Sequence, residues 1–192
     1  MLHTTLNQLK LNGACGQKVG DNEGYDKLHK HIGYGYPKNK PIDLTTILAS
    51  NGSDDTLWSL RAVLPEEQEA MSKLAWAFIA DCIEGKDGNA IANYEKQHPK
   101  DKTLRRAIEA IREFVAGKLT IEELRIALDS ARATTVAYAY YTVYNAAYYA
   151  AAYAYAYAAA YAYSYAAASY ANASEKEWQA ERLKGYLDGG VI

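Results

Sequence analysis

Apolar side chains recur at helical spacing in the middle of the chain. Four of them, three or four positions apart, predict an amphipathic helix over residues 102–116: Leu104, Ile108, Ile111 and Val115. Gly117 then supplies a common helix end. A more strongly apolar run covers residues 74–83 and stops before Gly85. This run predicts a central core helix.

Start and stop signals divide the rest of the chain into shorter helices. Ser53 begins one helix, and Pro65 opens the next with two acidic residues in its first turn. Glycine and proline predict a loop over residues 33–41. In chain order, the predicted helices cover residues 4–11, 14–31 and 44–50, then a helix from 53, one from 65 to near 85, and helices at 89–97 and 102–116.

A capping box begins the last helical region. Thr120 is followed by Glu123 at the third helical position, where its carboxylate can reach back to the cap. We expect Ala/Tyr-rich helices from about residue 120 to 187. The predicted fold is therefore all-α, a multi-helix bundle with long Ala/Tyr-rich C-terminal helices and little or no sheet.

Residues 133–174, which we call the Ala/Tyr segment, contain no charged side chain and consist almost wholly of Ala and Tyr. Tyr and Ala alternate at residues 153–157, as in a strand, but Tyr also recurs every four residues, as in a helix. Ala is the best helix former and a poor strand former, so the segment is predicted to be helical. A break near Asn145 or residues 169–174 would give two or three packed helices, whereas an unbroken rod is the alternative.

The four-residue repeat defines a tyrosine ridge: Tyr149, Tyr153, Tyr157, Tyr161 and Tyr165. Because a step of four residues drifts by about 40° on an ideal helix, the five rings cannot all face one flat neighbour. Rigid aromatic rings give contact area at low entropic cost and are favoured in binding surfaces. Internal packing and partner binding both remain open for these rings, and we predict that part of the ridge binds a partner.

Composition narrows the class of protein. With 192 residues, the chain is long enough to bury a core. Its formal net charge of -2 shows no excess of basic residues, which would be needed to attract nucleic acid. The two cysteines are far apart and the N-terminus lacks a signal-peptide pattern, which indicates the cytoplasm. A membrane span is disfavoured because Ala is only weakly apolar and Tyr occurs throughout the Ala/Tyr segment.

Few residues suggest chemistry. Asp54, Asp55, Trp58 and Arg61 form the most polar and aromatic cluster. We interpret the acids as helix caps. Arg61 could bridge to a carboxylate of another helix, and Trp58 and Arg61, three apart on one helix face, are also candidate partner-binding residues. The phosphate-loop-like stretch at residues 13–20 lacks the Gly-Lys-Ser/Thr ending.

Two further groups of residues have ordinary interpretations. His29 and His31 could approach Cys15, but no further ligands follow with zinc-site spacing. Glu109 and Glu113 lie among arginines, as on an ion-paired, solvated helix face. We therefore predict no catalytic residue, no metal site and no cofactor.

One stretch of the chain has a recognisable order of motifs. An apolar helix ends at Cys82, and Tyr94-Glu95, His98-Pro99-Lys100-Asp101-Lys102, Leu104-Arg105-Arg106-Ala107-Ile108-Glu109-Ala110 and Gly117-Lys118-Leu119-Thr120 follow it, ahead of the Ala/Tyr segment. Over residues 65–173 this order resembles the Ala-rich immunity-protein family found near bacterial polymorphic toxins and in phages. The N-terminal third is similar to a leader module of small phage proteins. The resemblance implies an all-helical protein that neutralises a toxin without catalytic residues.

These observations predict two domains, a small helical module at residues 1–64 and an immunity-protein-like domain at residues 65–192. We expect a non-enzymatic inhibitor that binds a toxin or a host defence factor and occludes it sterically with Tyr-rich helices. Its expected location is the cytoplasm of a bacterium or of a phage-infected bacterial host. The alternative is a structural protein whose Tyr-Ala helices pack between copies of the chain.

Overall fold

The computed structural model of the protein describes residues 1–13, 23–85, 88, 91–92, 95–96, 99–133 and 173–189. Within these ranges the chain forms eight α-helices, two very short strands and two 3-10 turns. The strands and helices, in chain order, are β1 (His3–Thr4), α1 (Leu6–Leu11), α2 (Glu23–Ile32), β2 (Ile42–Asp43), α3 (Leu44–Asn51), α4 (Ser53–Ser59), α5 (Gln68–Glu84), α6 (Thr103–Val115), α7 (Ile121–Ala133) and α8 (Ala173–Leu187). The 3-10 turns are Leu60–Ala62 and Pro65–Glu67.

The all-α prediction is confirmed for the part of the chain described. Its sheet consists only of β1 and β2, which pair antiparallel with His3 opposite Asp43 and Thr4 opposite Ile42. The Leu44 amide also donates to the Leu2 carbonyl at 3.0 Å. The pairing fixes the N-terminus beside the start of α3.

Capping residues determine where several helices begin, and these starts differ by a few residues from those predicted from the sequence. The first predicted helix begins at Leu6 instead of residue 4, because the Thr5 side chain caps it by accepting from the Gln8 amide at 3.0 Å. Asp43 caps α3 in the same way, accepting from the Thr45 amide at 2.9 Å. Pro65 opens a 3-10 turn ahead of α5, and not the α-helix itself.

Some predicted helices fall partly outside the described residues. Helix α2 accounts for the second half of the helix predicted over residues 14–31, and residues 14–22 are not described. Of the helix predicted over residues 89–97, the described residues 91–92 and 95–96 are helical. The predicted break near Asn145 lies outside the described residues.

Helix α5 is the core element that its apolar run predicts. Trp76, Ile79 and Ala80 are fully buried, and Phe78 retains 1% exposure. Helix α6 packs against α5 and α7 packs against α6, while α8 lies against α3, α4 and α5. One cluster of buried side chains runs from Leu2 to Leu187 and draws on both predicted domains, whose boundary stays a prediction.

Among the helices in the described ranges, none is both long enough and apolar enough to cross a bilayer.

Candidate functional site

The predicted partner-binding pair, Trp58 and Arg61, lies where α4 passes into a 3-10 turn. The guanidinium carbon of Arg61 lies 4.6 Å from the centroid of the Trp58 ring, and its Nε donates to the Trp58 carbonyl at 3.1 Å. Both side chains are half-buried, and Trp58 packs in part against the core. A cation held over an aromatic face is stabilised by the ring quadrupole. The pair therefore presents a preformed aromatic and cationic surface.

The other five predicted partner-binding residues form the tyrosine ridge, and all five lie outside the described residues. Residues 134–172, which include them, connect α7 to α8. Both of these helices bury leucines in the core: Leu124 and Leu128 on α7, and Leu183 and Leu187 on α8. The folded body therefore holds the segment at each of its two ends.

Asp55, interpreted from the sequence as a helix cap, instead contributes to helix packing, because the N-cap of α4 is Gly52 and no side chain of the described residues caps this helix. Gly52, with φ of +95°, allows the sharp change of direction between α3 and α4. Asn51 Nδ2 then donates to the Gly24 carbonyl and to Asp55 Oδ2, both at 2.7 Å. The carboxylate of Asp55 thus lies at the junction of α2, α3 and α4, whereas the guanidinium of Arg61 lies over Trp58.

His29 lies between two tyrosines on the surface of α2. Its ring stacks on Tyr25 with centroids 4.7 Å apart and meets the edge of Tyr34 at 5.9 Å. Within the described chain, its Nε2 is buried without a hydrogen-bond partner. His31 is exposed, and Cys15 lies outside the described residues. No group of three or more His, Cys, Asp or Glu side chains suited to a metal ion occurs in the described ranges.

The most concentrated polar cluster centres on Asp81, which sequence reasoning did not single out. Its carboxylate is buried in α5, and it pairs with Arg112 from α6 through Oδ1 and with Arg182 from α8 through Oδ2. The Tyr186 hydroxyl also donates to Oδ2, at 2.6 Å. Arg112 makes a second ion pair with Glu84 at 2.9 Å. One buried carboxylate thus joins three helices.

The ionisation of this cluster follows from its contacts. Burial alone raises the pKa of Asp81, but hydrogen bonds from Arg182, Tyr186 and Arg112 outweigh it and hold the pKa of Asp81 below its ordinary value. Burial and the neighbouring Asp81 charge raise the pKa of Tyr186. Asp81 is therefore an acceptor and Tyr186 a donor at neutral pH. These are the roles that a structural contact requires, and neither group is poised to transfer a proton near pH 7.

The α6 face around Glu109 and Glu113 is exposed and ion-paired, as predicted, and Arg112 is the arginine of this group that departs from it. Arg112 turns toward α5 and the Asp81 cluster, as described above. Arg105 pairs with Glu95 through two hydrogen bonds of 2.8 and 2.6 Å, and Lys102 approaches the same carboxylate at 3.3 Å. Two of the predicted surface arginines thus tie α6 to neighbouring segments. A charged residue inside an apolar run, as at position 81, is a signal that the carboxylate needs a partner, although it does not identify Arg112 as that partner.

Two open clefts flank α6. One, of about 330 Å³, lies between α5 and the α6–α7 turn and is lined in part by Lys73, Phe114 and Thr120. The other, of about 470 Å³, lies between α6, the end of α5 and α7, and is lined in part by Ile108, Glu109 and Ala127. Neither takes in Trp58, Arg61 or a histidine among the described residues.

Comparisons with known proteins add no relative to this picture. No family model, no curated protein and no solved structure matches the chain.

Proposed function

We propose that this protein is a non-enzymatic inhibitor that binds another protein and occludes its surface with Tyr-rich helices. The observation that carries the proposal is the Ala/Tyr segment, in which 42 consecutive residues from Ala133 to Ser174 lack any charged side chain and Tyr recurs every four positions. Ala supplies helix propensity and close approach, while each Tyr supplies a large ring and a hydroxyl. Such a surface is suited to protein contact and offers no strong acid, base or metal ligand.

The attachment of the segment at both ends supports binding. Because α7 and α8 are each anchored in the core, the chain between them is restrained relative to a free tail. Restraint before binding lowers the entropy lost on association and so raises affinity.

The charged residues of the folded body support the same proposal. Arg112 and Arg182 meet at Asp81, and Arg105 meets Glu95, so these charges join helices to one another. Arg105 and Arg112 also line the cleft of about 470 Å³, but the pKa of Asp81 is lowered and that of Arg112 is raised, so neither shift moves toward neutrality as in a proton-transfer group. The half-exposed Trp58 and Arg61 add residue types that dominate protein interfaces. We place them in the binding surface together with the tyrosine ridge.

The proposed partner is a toxin or a host defence factor. This choice rests on the resemblance of residues 65–173 to the immunity-protein family, and the proposed location is the cytoplasm of a bacterium or of a phage-infected host. Steric occlusion requires that the inhibitor bind tightly and cover the partner's active or assembly surface. It requires no catalytic group, so a segment without charged side chains can perform it.

The test uses a ridge variant, in which Tyr153, Tyr157 and Tyr161 become Ala, and a matched control, in which Tyr148, Tyr155 and Tyr163 become Ala. Both sets lie between the two predicted breaks, and at about 100° per residue they are centred roughly 165° apart on the predicted helix, while both remove three rings. Wild type and both variants are used as bait in a bacterial lysate, and captured proteins are quantified by mass spectrometry.

We expect one protein to be captured in similar amounts by wild type and the control variant. The amount captured by the ridge variant should be at least tenfold lower. Equal capture by all three baits would reject a binding role for the ridge. Light scattering on the three purified chains identifies the alternative, since a self-assembled wild type and a monomeric ridge variant would indicate contacts between copies of this chain.

A further inference from the structure

Helix α8 meets the folded body through one narrow face. From Glu177 onward, its buried side chains fall at helical spacings of four, three and one: Gln179, Leu183, Tyr186 and Leu187. The remaining positions described from Glu177 onward are half-buried or exposed. Gly185 lies within the helix and has a low helix propensity. Apolar burial on α8 is therefore much smaller than on α5, where nearly every side chain from Leu74 to Cys82 is buried.

Two polar side chains of α8, Arg182 and Tyr186, share one acceptor on this face. Arg182 Nε and Tyr186 Oη both donate to Asp81 Oδ2, and the Arg182 guanidinium also lies over the Tyr186 ring at 4.9 Å. Arg182 also donates to the Tyr186 hydroxyl at 3.3 Å. In the described part of the chain, Asp81 is the carboxylate with which Arg182 forms an ion pair. Because Asp81 is buried, losing one of its partners leaves its charge less compensated and weakens this contact.

Loss of the Asp81 charge would act unequally on the two helices it joins to α5. Arg112 on α6 retains Glu84 at 2.9 Å, and α6 also buries Leu104, Ile108 and Ile111. Helix α8 retains no comparable ion pair to α5 in the described residues, since Lys184 pairs with Asp188 along α8 itself. The weaker attachment is therefore that of α8.

We propose that Asp81 is a latch for the C-terminal helix, so that breaking its contacts opens α8 as a local unit while α5 and α6 remain packed. Proteins commonly open in such cooperative pieces, each with its own free energy. Helix α8 is also where residues 134–172 rejoin the body, so opening would release one of the two attachments of the Ala/Tyr segment. This consequence for binding rests on the proposed function, whereas the opening itself does not.

Native-state hydrogen exchange with mass spectrometry tests the latch on the full chain, without any partner. Asp81→Asn removes the charge and keeps the shape of the side chain. Arg182→Gln breaks the same contact from the partly exposed side, where folding is less at risk. Both variants should raise exchange in residues 178–189 at least tenfold. Exchange in residues 70–82 and 105–114 should change less than threefold.

Two controls remove nearby ion pairs without touching the latch. Glu84→Gln removes the second partner of Arg112, and Lys184→Gln removes the exposed pair on α8. Neither should change exchange in residues 178–189 by more than threefold. If Asp81→Asn fails to fold, the result for Arg182→Gln decides. Unchanged exchange in α8, or an equal increase in all three helices, would overturn the proposal whatever the outcome of the binding experiments.

Discussion

At the scale of single residues, Asp81 shows what a buried carboxylate requires of its surroundings. Removing a charge from water is costly unless hydrogen bonds and opposite charges replace the lost hydration. Here two guanidinium groups and a phenol supply that replacement from helices far apart in sequence. Because each arginine presents a rigid fork of donors, a lysine would not be an equivalent partner.

Glu95 shows how two basic neighbours act on a surface carboxylate. Arg105 and Lys102 lower the pKa of Glu95 from 4.5 to about 2. Because the folded-state pKa is the lower one, the pair stabilises the fold above about pH 4.5, and this stabilisation is lost as the pH falls through about 2. An NMR titration of the Glu95 side-chain carboxyl carbon should show a midpoint near pH 2.

Arg105→Gln is the matched control for this titration. It should move the Glu95 midpoint upward toward 4.5, since the largest cause of the lowered pKa is gone. A wild-type midpoint already near 4.5 would show that the ion pair does not persist in solution.

Two glycines inside helices should respond oppositely to the same substitution. A Cβ added at Gly24 would lie 2.7 Å from Asp55 Oδ2 and disturb the Asn51 contacts, whereas a Cβ at Gly185 would meet nothing within 4 Å. Ala is favoured over Gly in a helix by about 1 kcal/mol, and overpacking costs about 1–3 kcal/mol. Gly185→Ala should therefore raise the free energy of unfolding in urea by about 1 kcal/mol, and Gly24→Ala should lower it. An increase for both would contradict the close contact at Gly24.

At the scale of elements, local signals in the sequence account for some helices better than others. The capping box at Thr120 is present as predicted, with the Glu123 carboxylate accepting from the Thr120 amide at 2.7 Å and from its hydroxyl at 2.8 Å. In return, the Glu123 amide donates to the Thr120 hydroxyl at 3.2 Å. The start of α7, at Ile121, is thus determined by four consecutive residues.

The cap predicts a graded effect of substitution at position 120. Thr120→Ala should lower the free energy of unfolding by about 1 kcal/mol, because the Glu123 amide loses its acceptor. Thr120→Ser keeps the hydroxyl and should lower the free energy of unfolding by only a few tenths of that amount. Urea denaturation followed by circular dichroism compares the two variants, and equal losses would mean that the hydroxyl does not cap α7.

Elements and contacts that depend on distant residues could not be predicted. The helix predicted over residues 102–116 matches the bounds of α6 to within one residue at each end. The prediction succeeded because the spacing of apolar residues reflects the helix repeat itself. The pairing of β1 with β2 was missed because two-residue strands are too short to show alternation. The Asp81 cluster joins residues 31 and 101 positions apart, and no local pattern encodes such a separation.

At the scale of the whole molecule, α5 organises the fold. Helix α6 packs on α5 and α7 on α6, while α8 approaches α5 beside the N-terminal helices α3 and α4. The C-terminal helix therefore contacts elements of both predicted domains. Residues 134–172 connect α7 to α8, so the segment proposed to bind a partner is joined at both ends to helices that contribute to one buried cluster.

The proposed function depends on a tyrosine ridge that binds a protein partner. The most direct measurement is isothermal titration of the captured protein with wild type, the ridge variant (Tyr153, Tyr157 and Tyr161 to Ala) and the opposite-face variant (Tyr148, Tyr155 and Tyr163 to Ala). Circular dichroism first establishes that all three are folded. The ridge variant should bind at least tenfold more weakly, and the opposite-face variant should bind within threefold of wild type. Unaltered affinity in a folded ridge variant would contradict a binding role for the ridge.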